Sequence, residues 1–283
     1  MTTTYKLRTI GDAVEIGTTL SKSWFRGHPG VYNNLTPKVF RSEWDDLWTL
    51  KGRDVELGII DDFKRRAPGL MERVPPPSDI LTWLFTMQHH GAPTRLLDWT
   101  ESVLVALYFA AEKRRDEEGR DIDGELWAMV PDVLNARADV GSGFPLLNNP
   151  VLQYLVEEPL VHDREANARA RQLPKVPDKP IALRPATTFP RMVAQLSVFT
   201  IHPKPQAGHT LLEILPEEEL LVRYVVPVGV KHQLLNDLQA LGISRRTLFP
   251  DLDALSQTIE REHQTAIAYV PPKPPRCGGP HQP

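Results

Sequence analysis

Cysteine is almost absent from this chain of 283 residues: Cys277 stands alone. That excludes an internal disulfide, a cysteine-based zinc site and an iron–sulfur cluster. Long apolar runs are missing too. The longest, Val103–Ala111, has 9 residues, whereas a bilayer span takes about 20. Residues 1–5 show no basic stretch leading into an apolar one, so no signal peptide is expected. Neither sign of charge dominates, with 33 Lys and Arg against 36 Asp and Glu and a formal net charge of −3. Bulk-charge binding to nucleic acid or to an anionic membrane is therefore not expected, which leaves room only for a local basic groove. There is no Gly-x-Ser-x-Gly elbow, Walker loop, dinucleotide-binding glycine fingerprint or His-Glu-x-x-His motif. A cytoplasmic protein is the simplest expectation.

What the chain does contain is unevenly spread. All 6 tryptophans lie at or before Trp127, and 19 of the 27 prolines follow residue 140. Bulky core anchors therefore sit in the front half. Proline, which fixes φ and lacks a donor, cuts the back half into short strands and loops. Residues 271–283 hold 6 prolines in 13 positions and read as a disordered tail. The front half reads as helices over 44–65, broken at Gly52 and Gly58, over 79–88 after a Ser78 or Asp79 cap, and from the Ser102 cap onward. Strands are expected at 23–26, ended by Gly27, and at 125–130, 181–183, 194–201 and 220–226. Two helices, 231–241 and 252–261, follow them. Helices early and strands later give an α+β fold, one domain with helices packed on a mainly antiparallel sheet. The divisions are an N-terminal extension over 1–19, the domain over 20–265 and a proline-rich tail over 266–283.

Three segments have the residue types for chemistry. Arg26, between Phe25 and Gly27 at a strand end, can aim a fork of donors at an anion, or can pair with a carboxylate such as Asp98. The run from Gln88 to Thr100 crowds Gln88, His89, His90, Thr94, Arg95, Asp98 and Trp99 between two apolar helices. Such density fits either a binding site or a buried hydrogen-bonded junction. His89 and His90 are adjacent, so a regular helix turns them apart and no metal site is expected there. In the third segment Gln195, Ser197 and Phe199 share one face if the stretch is a strand, and a Gln with a Ser two residues on can read an amide or ribose edge.

Together these blocks resemble the FRG-domain family, named for its Phe-Arg-Gly motif. The resemblance rests on Phe25-Arg26-Gly27 with Leu35, Pro37 and Arg41 and on the run from Gln88 to Thr100 with Ser102 and Ala106 to Ala110. It extends to the stretches from Gln195 to Thr200 and from Thr247 to Leu252. His90 stands where the family usually has an aromatic, and Ser197 where it usually has Gly. The family occurs in bacteria and phages, often near defence genes. A fainter resemblance is to the ADP-ribosyltransferase layout, in which an early Arg holds NAD phosphate or ribose and a late Glu polarises the ribose; Gln195 occupies that late position here. The resemblance implies a cleft for NAD or a related nucleotide and action at an N-glycosidic bond. Arg26, Asp98 and Gln195 are the catalytic candidates, and Arg26, His90, Thr94, Arg95 and Ser197 the cofactor-binding ones. The implied partner is a nucleotide or nucleotide-modified target, with a partner protein possible and no membrane. The alternative is a non-enzymatic sensing or binding module of a defence system.

Overall fold

In a computed structural model of the chain, which describes residues 5–32, 35–41, 55–141, 143–157, 179–186, 188–203 and 221–265, seven strands form one sheet. They are β1 (Tyr5–Lys6), β2 (Trp24–His28), β3 (Leu96–Thr100), β4 (Gly124–Met129), β5 (Ile181–Leu183), β6 (Ser197–Ile201) and β7 (Leu221–Val226). Their order is β1-β7-β4-β2-β3-β6-β5. Neighbours are antiparallel except β1 and β7, which are parallel. The α+β class and the single mainly antiparallel sheet are those the sequence implies. Among the described residues no helix is long and apolar enough to cross a membrane.

Both faces of the sheet are covered, so all six residues of β4 are buried although their sequence alternates. One face carries two groups of helices. Over β7, β4 and β2 lie α1 (Ile10–Thr19), α4 (Val103–Ala111) and α8 (Val228–Ala240), enclosing Phe25, Leu126, Leu107 and Leu234. Over β3, β6 and β5 lie α2 (Val55–Arg66), α3 (Ile80–His89) and α6 (Pro150–Glu157), enclosing Leu84, Leu96, Leu155 and Phe199. The opposite face buries Trp24, Trp99 and Trp127 with Leu134 of α5 (Pro131–Arg137). Helix starts follow local chemistry: the side chains of Thr9, Asp79 and Ser102 each accept a backbone N–H of the first turn.

Several local expectations need correction. β2 does not stop at Gly27 but runs through it to His28. Glycine is required there for closeness, not for a turn. A Cβ on Gly27 would lie 1.8 Å from the Ala106 carbonyl oxygen, and one on Gly124 2.0 Å from that of Ala110, so α4 rests directly on β2 and β4. Gly58 does not break α2, because its Cβ position is open and the helix simply continues. The stretch 194–201 is not one strand. Pro190 starts a short helix, α7 (Pro190–Ala194), and Leu196 takes φ of +47°, so pairing begins only at Ser197. Residues 5–19, set apart by sequence as an extension, supply β1 and α1, with Leu7 and Ala13 fully buried. Residues 44–54 and the tail over 266–283 lie outside the described residues.

Candidate functional site: a cleft where two strands part

β2 shares five register pairs with β4 but only Phe25–Thr100 with β3. Beyond that pair the two strands diverge, and the gap between them falls between the two helical groups. A cleft of about 230 Å³ opens there, floored by Phe25, Gly27, Trp99 and Thr100 and walled by Val105 and Phe109 of α4. Arg26, Gln88, Asp98, Arg191, Gln195 and Ser197 supply its polar groups.

Arg26 bridges the gap. Its Nη1 donates to the Asp98 carbonyl and lies 3.8 Å from the Asp98 carboxylate, while Nε donates to His28 Nε2 at 2.6 Å. Since that bond needs a lone pair on Nε2, His28 carries its proton on Nδ1 and donates it to Glu125 Oε1, 2.9 Å away. Burial, with the Arg26 charge beside it, pushes the His28 pKa down to about 4, so the ring is neutral at physiological pH. Burial alone pushes the Glu125 carboxyl up, but hydrogen bonds from His28 and the Tyr32 backbone outweigh it and hold the pKa below the usual value. Arg26 is thus held in place by a neutral histidine backed by a buried carboxylate.

Asp98 is held from the other side. Its side chain is 56% exposed in the cleft mouth, against 14% for Arg26. Gln88 Nε2 donates to Asp98 Oδ2 at 2.6 Å, Thr94 Oγ1 donates to Gln88 Oε1, and the Leu96 N–H donates to Thr94 Oγ1. A carboxylate only accepts, so Asp98 dictates which way the Gln88 amide faces. Fully buried Thr94 therefore acts through Gln88 rather than from the cleft wall.

The remaining expected residues divide. Gln195 and Ser197 do line the cleft. The Gln195 Nε2 donates to the Leu248 carbonyl at 3.0 Å, which ties the cleft to α9 (Arg245–Leu248) and commits the amide. Thr100 Oγ1 closes the same corner on the Gln195 carbonyl at 2.7 Å. Arg95 is not in the cleft. Its guanidinium is 1% exposed and makes a forked pair with equally buried Glu56 of α2, with Nη1 donating to the Leu155 carbonyl at 2.7 Å. It pins α2 and α6 to the start of β3 and has no donor facing a ligand there. His90 caps α3 and lines a separate, mostly apolar groove with Phe63 and Met71.

Sequence reasoning missed Arg191 and Phe109 and gave Gln88 no role of its own. Arg191 was legible in principle, since it precedes Gln195 by four and the two share a helix face. The signal disappears once the segment is read as a strand.

No curated protein and no solved structure matches the chain. The model of one family, the FRG domain, matches residues 21–119. That stretch contains β2 with its Phe-Arg-Gly triplet, the Gln88–Thr94–Asp98 hydrogen-bond chain, β3 and α4. It thus supplies both sides of the gap and the helix that walls it, and the chain carries an FRG domain whose most distinctive residues gather at one cleft.

Proposed function

We propose that this cleft binds a nucleotide of the NAD class and acts at its N-glycosidic bond. The observation that supports this best is Asp98, a half-exposed carboxylate oriented by Gln88 and set beside the Arg26 guanidinium. Breaking the bond between the ribose C1′ and the nicotinamide nitrogen sends the electron pair to the neutral leaving group and leaves positive charge on the ribose. Such a reaction asks for positioning and a nearby negative charge more than for a strong acid. Asp98 would accept a ribose hydroxyl and stabilise the developing cation, Phe109 and Trp99 would offer apolar surface to flat rings, and water or an acceptor group would take C1′ from the open side. The described lining of the cleft contains one carboxylate, and its Arg, amide and hydroxyl groups bind rather than abstract protons.

The test is release of nicotinamide from NAD by the purified protein. Asp98→Asn keeps the shape and should lower the rate by about a hundredfold or more, with NAD affinity nearly unchanged. Absence of both release and NAD binding in the wild type would reject the reading.

A further inference from the structure

Two guanidiniums border the cleft, and they differ in what remains free on them. Arg26 spends Nε on His28 and Nη1 on the Asp98 carbonyl, so much of its fork is committed inside the protein. Arg191 makes no hydrogen bond or ion pair among the described residues. Its carbon Cζ sits 4.5 Å from the centroid of the Phe249 ring, a stacking contact that uses the face of the guanidinium and leaves its edge donors unused. Phe249 is itself braced, with Arg245 Cζ 4.9 Å from its centroid and the Phe109 ring edge-on at 6.1 Å. Carboxylates of Asp98, Asp251 and Glu112 act on Arg191 only from a distance, while burial depresses its pKa. An arginine stays charged regardless, so a desolvated cation stands at the cleft wall with its donors uncommitted. Two cations against the single carboxylate Asp98 make the described lining of the cleft net positive.

From this we infer that Arg191, stacked on Phe249, is the phosphate-binding residue of the cleft, with Arg26 serving as the fixed bridge across the strand gap. The ligand class is a phosphate ester or diphosphate whose anionic end lies against α7 and the 245–249 segment. The inference deepens the nucleotide reading above, yet its chemistry needs only the phosphate.

Calorimetric titrations with NAD, inorganic pyrophosphate and phosphate-free adenosine, each at several salt concentrations, test it on the full chain. The wild type should bind NAD and pyrophosphate with affinity that falls as salt rises, and adenosine more weakly with little salt dependence. Arg191→Gln should weaken NAD and pyrophosphate by about tenfold or more and flatten the salt dependence. The melting temperature without ligand should stay unchanged, since no internal bond is lost. Arg191→Lys keeps the charge but not the fork, and should recover only part of the affinity. Pyrophosphate binding that is lost in Arg191→Gln, in a protein that never releases nicotinamide, would uphold the phosphate site and reject the N-glycosidic reading. Nicotinamide release with an unchanged KM in Arg191→Gln would do the reverse. Equal affinity and equal salt dependence in wild type and Arg191→Gln, or no binding of either phosphate-bearing probe to the wild type, would overturn the inference.

Discussion

A histidine that cannot take a proton makes acid sensitivity predictable residue by residue. In the folded chain the His28 pKa lies at about 4, and that of His202, buried against Thr200, at about 3. In the unfolded chain both return to about 6.5. Between these limits the unfolded state binds more protons, so stability must fall as pH drops from about 6.5 toward 4. His28→Gln can still accept from Arg26 and donate to Glu125, but it does not titrate. Denaturant unfolding measured from pH 7 to pH 4 should therefore show a dependence shallower by about one proton. An unchanged slope would mean that His28 is not held neutral. At this scale the sequence was informative about which residues matter and weaker on which way they face. The density of polar residues between Gln88 and Thr100 does mark a wall of the cleft, through Gln88 and Asp98. It cannot show that Arg95 turns inward, because its partner Glu56 lies 39 residues upstream on another helix. Nor can it show that Arg26 would be engaged by a histidine two residues on, since that depends on the strand continuing past Gly27.

At the scale of elements the cleft depends on how closely α4 lies on the sheet. The helix contributes Val105 and Phe109 to the wall, and the Gly27 contact sets its height. Gly27→Ala would force the Ala106 carbonyl away by more than side-chain movement allows, and should cost about 3 kcal/mol, the upper part of the usual overpacking range. Gly58→Ala is the contrasting change. Its Cβ meets nothing within 4 Å and it sits inside α2, so it should stabilise by about 0.5–1 kcal/mol. Denaturant unfolding of both variants decides the matter, and a Gly27→Ala protein as stable as wild type would show that α4 does not rest on the strand. The same scale shows where pattern reading loses its grip. Ser102, Asp79 and the apolar run of α4 announce themselves, because caps and strong hydrophobicity are local signals. The run 190–201 also alternates well enough to read as a strand, but Pro190 at a helix start and the left-handed Leu196 divide it. β3 was harder still, since a strand buried between two others shows no solvent face to alternate against.

For the whole molecule, the family match and the physical domain have different limits. Residues 21–119 include β2 and β3 but neither of their outer neighbours: β4 begins at Gly124 and β6 at Ser197. Cut to that stretch, the chain would keep one register pair between its two strands and lose every bond of the five-residue β2–β4 and β3–β6 ladders. Exposed strand edges and the bared apolar face of α4 favour association over folding. Residues 5–19 matter for the same reason, since Leu7 and Ala13 are fully buried in the core that α4 shares with α8. Residues 5–265 should accordingly unfold in one cooperative transition, because both helical groups lean on a single sheet. The 21–119 fragment alone should show no such transition and should aggregate. Circular dichroism melts of the two, read beside size-exclusion profiles, would check this. A monomeric fragment with a cooperative melt would mean that the matched region folds by itself and that the later strands are additions to it rather than its completion.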